Sequence, residues 1–186
     1  MTRPKKKSQA APDPLTNWER VSPTLKSPRT KQSPDGPVEA ERRRPGHFLL
    51  EKAIAELCAT SKIIPLTSKH IDLLIQDSLV SFVFEMKVCD ITDIGSHLRH
   101  AIYQLLEYRY LYRNVLRSEV RLCVVSDRRP RGGSEWIMGY LDHIRIGIIW
   151  RNDGDSGFSC SDFTKTLLGD VLPQVREWVP TPVMWK

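Results

Sequence analysis

An apolar run at residues 81–88 carries Glu85 and Lys87 within it, and a short polar stretch separates it from a second apolar segment at residues 70–75. This pair of segments limits the possible folds more than any other part of the chain. Side chains in a strand alternate faces, so Glu85 and Lys87 share one face with Val83, while Phe82, Phe84, Met86 and Val88 point to the other. In the earlier segment Ile71, Leu73 and Ile75 form one stripe, and Asp72 shares the opposite stripe with Leu74 and Gln76. The intervening Gln76, Asp77, Ser78 and Leu79 suit a hairpin turn. A loop of even length puts Asp72 opposite or diagonal to Glu85. An odd loop without a bulge separates them, because a slip of one residue flips every side chain. The apolar face is expected to pack and the polar face to stay open.

Two carboxylates at short range repel or raise one another's pKa, and a cation removes that conflict. Magnesium or manganese suits the pair: both take oxygen ligands, and magnesium keeps several waters beside one or two carboxylates and a substrate phosphate. Lys87, two residues from Glu85, is a compact cation suited to orienting or deprotonating an attacking water and to neutralising charge on a phosphate. These residues point to metal-assisted hydrolysis of a phosphodiester.

The rest of the chain reads as an α/β sandwich. Residues 48–57 are a good helical segment, and between residues 94 and 113 Ile94, Leu98, Ala101, Ile102, Leu105 and Tyr112 recur at three- and four-residue spacing, marking an amphipathic helix. Gln104 and Tyr108 lie four apart on a neighbouring stripe of that helix. Residues 121–125 read as a buried strand, 127–133 as a basic loop with three arginines, 135–142 as a short helix and 144–150 as a final strand, with one or two helices in 163–178. Strand, helix, strand order implies a parallel portion reached by a right-handed crossover.

Over residues 48–126 the pattern resembles the PD-(D/E)XK nuclease superfamily, the restriction-endonuclease-like fold, with His70-Ile71 standing where that family has its proline. The resemblance implies a three-layer sandwich around a mixed central sheet, in the order α-β-β-β-α-β-α-β. It makes Asp72 and Glu85 metal ligands, Lys87 the catalytic cation and Glu51 the helix carboxylate that completes the metal set. Gln104-Leu105-Leu106-Glu107-Tyr108 matches the Gln-x-x-x-Tyr of the RecB-like branch and puts Gln104 in a supporting role. That branch often uses a histidine as a ligand; His47 is the less favoured choice here, because it follows Pro45-Gly46 where the helix begins. The implied activity is that of a Mg2+- or Mn2+-dependent deoxyribonuclease. The alternative is a catalytically inactive module of the same fold that binds nucleic acid or a protein partner.

Composition supplies the setting. The chain has 186 residues, 40% of them apolar, enough for one domain, expected at residues 46–186, and an appendage. Residues 1–45 hold eight of the thirteen prolines and both basic triplets, and are expected to be a disordered tail. They carry eleven of the 28 basic and five of the 22 acidic residues, which leaves seventeen of each in the domain. The excess charge therefore lies in the tail, where it suits a phosphate backbone or serves as a solvated linker. A neutral domain favours the binding-module alternative. No apolar stretch approaches roughly 18 residues and the start is polar, so the expectation is a cytoplasmic protein off the membrane, or a nuclear one in a eukaryote. Cys58, Cys89, Cys123 and Cys160 are too widely spaced to suggest zinc or disulfides, and Cys58 and Cys123 read as core residues. Trp136, Trp178 and Trp185, if exposed, are candidate anchors for a homodimer or partner subunit.

Overall fold

The computed structural model describes residues 19–20 and 45–178, apart from Lys69, Ile91 and Asp155. Eight strands form one sheet whose spatial order follows the chain: β1 (Glu19–Arg20), β2 (Leu66–Thr67), β3 (Leu73–Gln76), β4 (Val80–Lys87), β5 (Glu119–Ser126), β6 (Ile146–Arg151), β7 (Phe158–Cys160) and β8 (Arg176–Glu177). Helices α1 (Pro45–Thr60), α2 (Ile94–Leu111), α3 (Trp136–His143) and α4 (Asp162–Leu168) cover its two faces. From α1 to β6 the elements follow the expected order. Residues 146–151 are not the last strand, however: β7, α4 and β8 extend the sheet, and strands of three and two residues are too short for alternation to reveal. Of the expected tail, Pro45 begins α1, Glu19 and Arg20 pair antiparallel with β2, and the remainder lies outside the described residues.

The sheet is mixed. β1 to β4 run antiparallel to their neighbours, β4, β5 and β6 are parallel, β7 turns back against β6, and β8 runs parallel to β7. The two parallel crossovers from β4 to β6 travel through α2 and α3, which pack on the same face against Leu74, Val83, Leu122, Val124 and Ile148. α4 joins β7 to β8 on the other face, beside α1, over Ile75, Phe84, Val125 and Ile149. One handedness accounts for both arrangements: β7 reverses the strand direction, so a crossover of the same hand moving the same way across the sheet must pass on the opposite side. Each fully buried leucine or phenylalanine in these two layers contributes about 1.5–3 kcal/mol. Gly147 in β6 is fixed by this packing, since a Cβ there would lie 2.9 Å from Leu167 and 3.1 Å from Thr164 of α4.

Among the described residues no helix is long and apolar enough to cross a membrane. Cys58 and Cys123 are core residues, as are Cys89 and Cys160. Of the three tryptophans, Trp136 is exposed, while Trp178 packs edge-on against Trp150 with the Arg129 guanidinium over its ring. Trp185 lies outside the described residues. Trp178 is thus used within the chain, and of these candidates Trp136 is the exposed one among the described residues.

Candidate active site at the open end of the β3–β4 hairpin

The hairpin loop is even. Gln76 pairs with Ser81, Ile75 with Phe82, Leu74 with Val83 and Leu73 with Phe84, where the ladder ends. Asp72 lies in a bend just beyond it, and Ile71 packs with Leu74 rather than with Leu73 and Ile75, so the expected stripe of Ile71, Leu73 and Ile75 breaks there. The turn is closed by a bond from the Asp77 amide to the Val80 carbonyl, 3.1 Å, and by the Asp77 carboxylate, which accepts from the amides of Leu79 and Val80 at 2.7 and 2.8 Å. Those two amides hold the Asp77 carboxyl below its usual range. At the other end, Ser68 shapes the chain that delivers Asp72. Its hydroxyl accepts from the amides of His70 and Ile71, and its own amide donates to the Ile71 carbonyl.

Asp72 is buried, with 2% of its surface exposed, and its Oδ2 accepts from the Met86 amide at 2.8 Å. His47 Nε2 lies 3.1 Å from the same oxygen. In the tautomer that donates from Nε2 to an ionised Asp72, Nδ1 is an acceptor, buried without a hydrogen-bond partner among the described residues. Helix α1 reaches this point because Pro45 suits a first helical position and Gly46 lets the turn settle on β4. A Cβ at Gly46 would lie 3.1 Å from Val88.

Glu85 and Lys87 project from one face of β4, with Lys87 Nζ 3.1 Å from Glu85 Oε1. They are 2% and 1% exposed. The face that carries them, expected to be open, is covered. Val83 on that face packs under α2 and α3, because crossover helices must lie on the sheet they connect. Gln104 is buried on α2, donates from Nε2 to the Tyr108 hydroxyl at 3.2 Å, and has an Oε1 without a hydrogen-bond partner among the described residues. It therefore belongs to the inner side of its helix.

The remaining expected ligand, Glu51, stands one turn along α1 from His47 and is half-buried. It is His47 that reaches Asp72 from α1. The expected trio of Asp72, Glu85 and Glu51 is not gathered into a cage: among the described residues no three His, Cys, Asp or Glu side chains converge as a metal site. The first turn of α1 is seated against Val88 at Gly46, and from it His47 reaches Asp72. His47 and Glu51 share a helical stripe, so the sequence narrows the choice to these two and the packing of α1 separates them.

Beyond Lys87 the loop after β5 is tied back to β4. The Asp127 amide donates to the Lys87 carbonyl at 3.1 Å, and the Asp127 carboxylate accepts from the Cys89 amide at 2.9 Å. This loop forms one wall of a cavity of about 400 Å3 lined by Arg128, Arg129, Arg131, Asp127, Asp153 and Ile94. Its arginines are matched by acids: Arg128 pairs with Asp127, Arg129 with Glu135 and Arg131 with Asp153. The cavity lies where the parallel strands β4, β5 and β6 end, the side of an open α/β sheet on which ligands generally bind. Sequence reasoning placed the arginines in a loop but carried no signal for the carboxylates that neutralise them.

In comparisons with known proteins, no family model, curated protein or solved structure matches this chain.

Proposed function

We propose that this protein is a divalent-metal-dependent nuclease that hydrolyses DNA phosphodiester bonds, with its site at Asp72, Glu85 and Lys87. The observation that carries the reading is the burial of these three ionisable groups, each no more than 2% exposed, with Asp72 on the amide of Met86, the residue between Glu85 and Lys87. Burying charge is costly, and strongly desolvated ionisable clusters concentrate at functional sites. Two carboxylates without a third suit a hydrated magnesium or manganese ion, which keeps most of its waters, better than a closed cage. The unpartnered His47 Nδ1 and Gln104 Oε1 add buried acceptor atoms in the layers on either side. When bound, such an ion supplies an activated water and charge neutralisation at the phosphate. The chain's own residues do the rest: the Met86 amide and His47 fix the Asp72 carboxylate, and Lys87 holds Glu85 and offers its cation to the phosphate.

One observation favours the alternative of an inactive binding module of the same architecture. Glu85 and Lys87 satisfy each other under α2 and α3, as an inherited ion pair would. Cleavage of linear, circular and single-stranded DNA and of RNA, with magnesium or manganese and with a chelator, separates the two readings. The nuclease reading expects metal-dependent cutting of DNA that falls at least a hundredfold in Glu85→Gln/Lys87→Met, a variant that keeps side-chain volume and removes both charges. A wild-type protein that binds DNA but cuts none of these substrates would establish the module.

A further inference from the structure

The inner side of α2 is consumed by the core through Leu98, Ala101, Leu105 and Tyr108. Its outer side is not what folding alone requires. Arg99, Tyr103, Leu106, Tyr110 and Arg113 follow one another at spacings of four, three, four and three, which draws a single stripe along the helix. Tyr103 is 64% exposed and Tyr110 66%. Each end of the stripe is an arginine laid on an aromatic ring. Arg113 lies 4.6 Å from the centre of Tyr110, and Arg99 lies 5.3 Å from that of the exposed Trp136. Glu107 is the single carboxylate in α2.

Where α2 ends, the stripe opens into a basin of about 440 Å3 lined by Arg109, Arg113, Leu116, Arg117, Ser118 and Val120. No acidic residue lines it. This contrasts with the cavity at the other end of the sheet, where each arginine meets a carboxylate, and with a domain whose basic and acidic residues balance. Arg109 sits in the last turn of α2 and Arg113 just past its end, so both place positive charge at the carbonyl end of the helix. Arg117 is held at the rim by a bond from Nε to the Asp77 carbonyl, 3.0 Å.

Solvent-facing tyrosines flanked by arginines, leading into a basin lined by three arginines and no carboxylate, match a polyanion that also carries planar apolar faces. We infer that the outer face of α2 and this basin form a track for single-stranded nucleic acid, with bases against Tyr103 and Tyr110 and phosphates at Arg109, Arg113 and Arg117. A duplex would offer the phosphates but hide the faces, and an acidic peptide would leave the tyrosines without stacking partners. The track concerns binding, so it stands or falls independently of hydrolysis at Glu85.

The test measures binding of the full chain, with a chelator present to prevent cleavage, to a labelled oligothymidylate and to a duplex of the same length across a range of salt. Wild type is expected to prefer the single strand. Tyr110→Ala should weaken single-strand binding at least fivefold while leaving duplex binding unchanged. Arg113→Ala/Arg117→Ala should lower the slope of log K against log salt by about 1.4, the share of two phosphate contacts on a single strand. All these residues are exposed, and matching circular dichroism will verify that the variants fold. If the basic N-terminal segment alone provides the binding, Tyr110→Ala and Tyr103→Ala will bind like wild type, and the inference is overturned. A preference for duplex, or an unchanged salt slope, overturns it equally.

Discussion

Lys87 and Glu85 sit where packing alone would place two apolar side chains. A buried ion pair generally contributes little net stability against well-packed apolar residues, but removing one partner strands the other charge. Lys87→Met is therefore expected to cost about 3–5 kcal/mol, and adding Glu85→Gln to recover most of that loss. Urea unfolding of both single variants and the double variant measures it. Losses that simply add would mean that the 3.1 Å contact carries no coupling. The pair was legible in the sequence as Glu-x-Lys in a strand, because alternation fixes which side chains share a face. Its near-complete burial was not, because the helices that cover it come from residues 94–143, outside any local window.

At the level of elements, α3 and α4 illustrate how a helix end sets a charge. Asp142 lies in the last turn of α3, and its carboxylate accepts from the hydroxyl of Ser161, the residue that caps α4 by accepting from the Thr164 amide. Burial pushes the Asp142 carboxyl up, and its negative charge also opposes the carbonyl end of the helix dipole. A folded-state value above the unfolded one means that the stability this group contributes is complete at pH below the ordinary aspartate range and is lost as pH rises through the folded value. Asp142→Asn keeps an acceptor for Ser161 and removes the charge. It is expected to melt at a higher temperature than wild type at neutral pH, with the difference vanishing below about pH 3. Thermal melts of both proteins across that range test the sign. Of these elements, α3 was read as a short helix at residues 135–142. α4 was visible only as a helical tendency within residues 163–178, and β8 within the same stretch was hidden in two residues.

For the molecule as a whole, burial of the four thiols links chemistry to global stability. Desolvation raises Cys58 to about 12 and Cys89 and Cys160 to about 11, and it pushes Cys123 well up. Thiolate is the reactive form, so all four are expected to resist a thiol reagent in the folded protein and to react together as it unfolds. Labelling should follow global opening, with a rate that rises with urea in step with the loss of circular dichroism. Rapid modification of Cys58 or Cys123 in native buffer would mean that α1 or the centre of the sheet opens locally. The cysteines come from α1, β5, β7 and the end of β4, so their protection samples both faces of the sandwich.

The sequence alone determined the strand pair, its turn, the shared face of Glu85 and Lys87, and the order of the helices and of strands β3 to β6. These depend on local alternation, helical spacing and turn chemistry, which act over a few residues. It pointed to Glu51 over His47, to an open polar face on β4 and to a sheet ending at β6, whereas His47 is the residue seen on Asp72, that face is covered and the sheet runs on to β8. Only the tertiary structure decided these. The first turn of α1 is seated against Val88 at Gly46, crossover helices must cover the sheet they connect, and reversal at β7 sends α4 to the opposite face. Each outcome depends on where distant segments pack, and side-chain periodicity carries no record of that.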